Sequence, residues 1–240
     1  MTFIIPMAGR GSRFLEEGYR LPKYMIEVKG KTLFEYSMDS LPIEIADKLI
    51  FICLEEHEKF NVTNFIKNHI SHANIEIIKL DEVTRGQAET VYIAKDYVQN
   101  NDEILIYNID TAFISNKLKK ILLDKDLKKD GVLGAFIDKS NDDKWSFAKL
   151  DDNKNVILTT EKEKISDYAL TGLYHFTKAN DFFDIAKKWI ETNTMVRNEF
   201  YIAPMYNDLI KNGKNYVLDI VDSFTPLGTP QEVKSFELSN

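Results

Sequence analysis

The sequence predicts an α/β fold: a three-layer α/β/α sandwich on a mostly parallel central sheet, with a small extra β-hairpin region. Two features of the first half point there. Strands alternate regularly with helices, and the strands are near-continuous apolar runs, as in a sheet covered on both faces. The third feature lies in the second half, where two short strands flank Asp151-Asp152-Asn153-Lys154-Asn155, a turn-forming stretch that reads as a hairpin.

The elements follow in order. Residues 2–7 read as a strand running into a glycine-containing loop, and a helix from about Leu33 to Ser40 is opened by Thr32 with Glu35 as a capping box. Lys48 to Leu54 is a continuous apolar strand, followed by a helix across 55–70 and a third strand from Ile75 to Leu80. Gly86 opens a helix through about Val98, and Glu103 to Ile109 is a fourth strand. Beyond it come a strand at 131–138, the hairpin of 146–150 and 156–160, and a strand over Tyr168–Phe176. Helices near 179–192 and 199–211 follow, the latter stopped by Gly213, then a strand at 215–221. Thr229-Pro230-Gln231-Glu232 caps a short terminal helix. There is no internal repeat or low-complexity tract, so residues 1–240 read as one domain, with halves at 1–112 and 113–240.

The most informative stretch is Ile4-Ile5-Pro6-Met7-Ala8-Gly9-Arg10-Gly11-Ser12-Arg13-Phe14, completed by Leu21-Pro22-Lys23. Gly9 and Gly11 let backbone N–H groups approach an anion that larger side chains would obstruct. Arg13 and Lys23 bring positive charge to the same place. Such a loop suits a polyphosphate. It is not a dinucleotide fingerprint, because position 14 is Phe where a third glycine is needed. Nor is it a kinase-type phosphate loop: Gly30-Lys31-Thr32 would need glycine at position 25, which is Met.

Composition narrows the class. With 240 residues, 44% hydrophobic and 29% charged, the chain can bury a sizeable core. A net charge of −7 argues against nucleic-acid or anionic-membrane partners. Residues 10–31 nevertheless carry six basic side chains against three acidic ones, a local excess suited to focusing a small anion. The one cysteine, Cys53, rules out an internal disulfide, and the four histidines are too scattered to suggest a zinc site. With no basic leader and no long apolar run, a cytoplasmic location is expected. The sequence is compatible with a homo-oligomer.

Two further sites carry chemistry. Asp110 ends the fourth strand on the side of the phosphate loop, where a carboxylate can hold Mg²⁺ on phosphate oxygens. Glu161-Lys162 follows the hairpin, and a lysine at a cleft edge suits a phosphate monoester acceptor. Gly172, inside a strand, marks close backbone approach or a bulge.

Together these pieces resemble the nucleotidyltransferase superfamily of nucleotide-sugar pyrophosphorylases and cytidylyltransferase-like enzymes, over Ile4 to about Phe236. The head loop is similar to the family's small-residue signature ending in Ser/Thr-Arg and followed by Pro-Lys. Gly86-Gln87-Ala88 looks like its base-contacting segment, Asn108-Ile109-Asp110 like its metal-aspartate strand, and Glu161-Lys162 like its acceptor-phosphate pair. Tyr168 to Tyr174 resembles the sugar-contacting strand of hexose-1-phosphate thymidylyltransferases. The resemblance implies a Rossmann-like fold of the GT-A type and one reaction: an acceptor phosphate attacks the α-phosphorus of a nucleoside triphosphate, and pyrophosphate leaves.

It further implies Arg13, Lys23 and Asp110 as the catalytic set and Mg²⁺ as the cofactor. Nucleotide contacts would come from Met7, Ala8, Gly9, Gly11, Ser12, Arg13, Lys23, Asp81, Gly86, Gln87 and Asn108. Acceptor contacts would come from Glu161, Lys162, Thr171 and Gly172. The family often carries a second metal aspartate two residues before Gly-Thr, but Pro226 stands there in Pro226-Leu227-Gly228-Thr229. Asp219 or Asp222 takes that part, with Asp222 named as the ligand, or the second position is weaker. Gly-Ser-Arg at the head is closer to enzymes that use CTP, which favours a CMP donor and a phosphorylated sugar, polyol or amine-alcohol acceptor for capsule or other surface-glycan precursors. A hexose-1-phosphate uridylyl- or thymidylyltransferase is the alternative. A GT-A glycosyltransferase ranks lower, because Asn108-x-Asp110 lacks the first carboxylate of an Asp-x-Asp motif.

Overall fold

The computed structural model describes residues 1–239. β1 (Thr2–Pro6) leads through the glycine loop into a short helix, α1 (Ser12–Glu16). β2 (Glu27–Val28) and β3 (Lys31–Thr32) form a small ribbon before α2 (Leu33–Met38). Thr32 caps α2 as expected: its hydroxyl accepts from the Glu35 amide, and the Glu35 carboxylate accepts from the Thr32 amide. β4 (Lys48–Leu54), α3 (Val62–His69), β5 (Ile75–Leu80), α4 (Gln87–Tyr92) and β6 (Ile104–Tyr107) continue the alternation. β7 (Thr111–Ile114) and α5 (Leu118–Leu123) complete the first half. The second half contains β8 (Gly131–Ile137), the hairpin β9 (Ser146–Leu150) and β10 (Val156–Glu161), and β11 (Tyr168–Phe176). It ends with α6 (Ala179–Glu191), α7 (Tyr206–Lys211), β12 (Tyr216–Ile220), β13 (Ser223–Pro226) and α8 (Pro230–Leu238).

One nine-stranded sheet runs through both halves in the order β10-β9-β11-β6-β1-β4-β5, with β8 joining β11 and β12. The block β6-β1-β4-β5 is parallel, as apolar strands alternating with helices require. β11 then pairs antiparallel with β6, β8 and β9. Alternation along the strands divides the core. Ile4, Ile50 and Ile52 face α4 and α6, whereas Phe3, Ile5 and Phe51 face α2, α3 and α5, which gives the three layers. A third cluster joins Phe14, Ile26, Val28, Leu33, Leu227 and Val233, tying the start of α1 to the base of α8. No helix among the described residues is long and apolar enough to cross a membrane.

The departures have local causes. The helix expected across 55–70 is a 3₁₀ segment over Glu55–Phe60, then Asn61 at φ 61, then α3. Asparagine tolerates that left-handed geometry, so the break falls there. α4 tightens into a 3₁₀ turn over Ile93–Tyr97, after a β-branched and aromatic run poorly suited to α-helix. Pro204 sits in a 3₁₀ turn over Ala203–Met205, so α7 starts at Tyr206 rather than near 199. The fourth strand stops at Tyr107, and the β7–β13 pairing beyond it was not anticipated.

Candidate active site

Sheet register builds the site. β1 and β6 are parallel neighbours with Ile4 opposite Ile106, so both chains leave the sheet on the same edge, one into the glycine loop and the other into Asn108-Ile109-Asp110. That edge, at the carboxyl ends of parallel strands, is where open α/β sheets bind ligands. β11 runs antiparallel to β6 with Leu173 opposite Tyr107, which sets Gly172 beside Asn108. Gly172 has φ 88, and a Cβ there would lie 2.6 Å from Asn108 Nδ2, so only glycine lets the Asn108 side chain occupy that place. The Gln87 amide donates to Asn108 Oδ1 and joins the start of α4 to the same point.

A cleft of about 840 Å³ opens along this edge. Arg13 and Lys23 line it together with Met7, Ala8 and Gly9. Lys23 Nζ donates to Asp110 Oδ2 at 2.8 Å, bringing the basic loop and the strand-end carboxylate into direct contact. Gly86 has φ 146, and a Cβ there would fall 2.4 Å from the Phe200 backbone nitrogen. Phe200 N–H donates to Arg85 O and its carbonyl accepts from the Ala88 amide, clamping the loop before α4 against the segment after α6.

Glu161 and Lys162 line the same cleft. The Lys162 ammonium donates to the Tyr201 hydroxyl at 2.8 Å and lies 4.0 Å from Glu161 Oε1. Burial works against its charge, but Tyr201, Glu161 and Glu199 outweigh this and hold the ammonium above its ordinary pKa. Its backbone is fixed on both sides: Lys162 N–H donates to Trp145 O at 2.9 Å, and its carbonyl accepts from the Arg197 guanidinium at 2.8 Å. Glu161 is buried, which raises its pKa against the hydrogen bond it accepts from Ser146. The site therefore has the Lys23–Asp110 pair and Lys162 on one cleft.

Most of the expected residues meet here. Met7, Ala8, Gly9, Arg13, Lys23, Gly86, Gln87, Asn108, Asp110, Glu161, Lys162, Thr171 and Gly172 all line the cleft. Gly11 supports it from behind, its Cβ position 3.5 Å from the Lys23 Cβ. Ser12 begins α1 and does not line the cleft. The Thr171 hydroxyl is buried without a partner and sits against Gly134. Asp81 lies exposed just past the end of β5, and Thr84 and Arg85 line the wall instead.

Asp222 is not brought to the cleft. Its carboxylate accepts from the Asn116 backbone at 2.9 Å, at the Ile114 end of the β7–β13 pairing, whereas Asp110 lies at the Pro226 end. Four residues of strand, about 13 Å, separate the two places. Asp219 is fully buried and accepts from Ser115. Sequence reasoning missed Trp145, Glu199, Tyr201 and Glu232, which also line the cleft. Only Glu232 carried a signal, and that signal was its place in a helix-capping motif.

The donor set fits Mg²⁺. Among the described residues no group of three or more His, Cys, Asp or Glu side chains is placed to hold a metal unaided. Mg²⁺ does not need one: it takes one or two carboxylates and completes its shell with phosphate oxygens and water. Asp110 Oδ2 and Glu232 Oε2 lie 3.4 and 3.5 Å from where a Cβ on Gly228 would stand, so a small cradle bounded by two carboxylates opens on the cleft.

Comparison with known proteins gives the family and supports the fold. The family model described as Nucleotidyl transferase matches residues 3–225. A crystal structure of a nucleoside-diphosphate-sugar pyrophosphorylase from Vibrio cholerae RC9 superposes with a TM-score of 0.81 at 35% identity, covering 99% of this chain and 100% of that one. The Bifunctional protein GlmU of Methanocaldococcus jannaschii is 27% identical over 235 residues, covering 97% of this chain and 52% of that protein. The chain thus spans about half the length of the curated relatives it matches. A 2-C-methyl-D-erythritol 4-phosphate cytidylyltransferase from Wigglesworthia glossinidia brevipalpis is 30% identical over 123 residues, covering 50% of this chain and 48% of that protein.

Proposed function

The chain belongs to the nucleotidyl transferase family, and from that premise we propose that it transfers a nucleoside monophosphate, CMP from CTP, to a small phosphorylated acceptor and releases pyrophosphate. The acceptor is a sugar phosphate or a phosphorylated polyol or amine-alcohol, and the product serves surface-glycan assembly. One observation carries the reading: the Lys23–Asp110 pair and Lys162 line a single cleft. That arrangement suits two anions that must be brought together. Residues 1–112 serve the nucleotide and 113–240 the acceptor.

The chemistry is an in-line displacement. An acceptor phosphate oxygen forms a bond to the α-phosphorus as the bond to the bridging oxygen of the β-phosphate breaks, and the electron pair leaves with pyrophosphate. Positioning and charge stabilisation supply nearly all of such catalysis. Arg13, Lys23 and the loop amides neutralise the triphosphate and the departing pyrophosphate, while Lys162 steadies the incoming phosphate. Asn108 and Gln87, tied to each other, fix the nucleotide beside the loop. Mg²⁺, held by Asp110, would supply further charge neutralisation across the phosphates.

The preference for CTP is supported by the Gly-Ser-Arg head loop and by the likeness to a cytidylyltransferase over half the chain. The likeness to a nucleoside-diphosphate-sugar pyrophosphorylase keeps a hexose-1-phosphate uridylyl- or thymidylyltransferase as the second reading. Four nucleoside triphosphates (CTP, UTP, dTTP and GTP) assayed against a panel of phosphorylated acceptors, with pyrophosphate as readout, test both. Acceptor-dependent pyrophosphate from CTP is expected. A clear preference for UTP or dTTP would replace the base and keep the reaction, whereas NDP released from an NDP-sugar would point to glycosyl transfer.

A further inference from the structure

Glu232 stands at the third position of α8, where a carboxylate ordinarily closes a capping box on the Thr229 amide. Here its Oε2 accepts from the Gly228 amide instead, at 3.0 Å, and its Oε1 accepts from Lys144 Nζ at 3.2 Å. The side chain is 17% exposed on the cleft wall. Its Oε2 and Asp110 Oδ2 both lie beside Gly228, no farther apart than the sum of their distances from the missing Cβ, about 6.9 Å. Gly228 does not have a left-handed backbone, so space rather than conformation is what its missing side chain provides. A methyl group there would touch both carboxylates.

We propose that Glu232 is the second carboxylate of the divalent-cation site, acting with Asp110 in the position that Pro226 leaves without a ligand. The inference rests on the nucleotidyl-transfer reading. In the ligand-free protein each carboxylate has a lysine as counter-ion, Lys23 for Asp110 and Lys144 for Glu232. All four side chains line one cleft. Asp110 and Glu232 would hold a cation that accompanies a triphosphate, and Lys23 and Lys144 would then be free to pair with phosphate oxygens. Charge is conserved in the exchange, so no carboxylate is left uncompensated. Mg²⁺ keeps several of its waters, so one carboxylate can hold it directly and the other through water.

The test is calorimetric binding of CTP, UTP, dTTP and GTP in Mg²⁺ and in EDTA, continued with the triphosphate that Mg²⁺ tightens most. Glu232→Gln keeps an oxygen for the Gly228 amide but loses the charge. It should cut the Mg²⁺-dependent gain in affinity about tenfold and leave affinity in EDTA unchanged or improved, with the ligand-free melting midpoint intact. Gly228→Ala should show the same loss of the Mg²⁺ effect. If Glu232→Gln keeps the full Mg²⁺ effect, weakens binding equally in EDTA, or unfolds the protein, Glu232 is a structural cap and the inference fails. Loss of the effect in Asp110→Asn but not in Glu232→Gln would leave the reading standing without it. If no triphosphate binds the unaltered protein better with Mg²⁺, both fall.

Discussion

Lys23 and Asp110, 87 residues apart in sequence, meet at 2.8 Å where the glycine loop faces the end of β6. Each is partly exposed, 17% and 29%, so the pair is screened and adds little to stability. On the proposed reading its part is in the reaction. Lys23→Ala should slow acceptor-dependent pyrophosphate release by roughly 100- to 1,000-fold, the scale of losing one preorganised charge stabiliser, while the melting midpoint barely moves. A fall of less than tenfold would remove Lys23 from the catalytic set.

On the proposed reading Lys162 serves the acceptor, and the Lys23–Asp110 pair serves the nucleotide. Because Tyr201 and the carboxylates around it keep the ammonium charged, Lys162→Ala should chiefly raise KM for the acceptor phosphate. Asp110→Asn should instead abolish turnover at moderate Mg²⁺. Steady-state kinetics with each substrate varied separates these outcomes, and equal, mild effects from both substitutions would count against the roles assigned.

Gly172 and Gly9 make a controlled pair. Gly172→Ala would force a side chain onto φ 88 and onto Asn108, and should destabilise the protein by about 1–3 kcal/mol. Gly9 has nothing within 4 Å of its Cβ position, so Gly9→Ala should unfold at nearly the same denaturant concentration as the unaltered protein. It should still lose nucleotide affinity, because a methyl group then stands where phosphate approaches the backbone. Denaturant titration alongside nucleotide binding reads both effects.

Asp219 predicts a pH dependence. Burial raises its pKa, outweighing the Ser115 hydrogen bond, and its Oδ2 has no partner. A carboxyl group whose folded-state pKa lies above its unfolded value contributes stability at low pH and loses that contribution as pH rises through the folded value. Asp219→Asn should therefore raise stability by about 1 kcal/mol near neutrality, and the advantage should shrink as pH falls toward the ordinary carboxylate range. Melting curves across that range would show it. A gain that is flat with pH would assign the effect to something other than charge.

Much of the architecture could be read in one dimension because its causes are local. Apolar strands spaced by helices require a parallel sheet with both faces covered, and the Thr32–Glu35 capping box formed as its residue types demand. The glycine loop, Lys23, Asp110 and Lys162, which share one cleft, stand out in the sequence because each belongs to a short motif. Tertiary structure decided what depends on pairing between distant segments. The β7–β13 ladder carries Asp222 away from Asp110. The Phe200 clamp brings Tyr201 to Lys162, and the Gly228 amide holds the carboxylate of a helix-capping glutamate on the cleft wall. No spacing in the sequence encodes those approaches, because each is set by register and close packing, which exist only once the chain has folded.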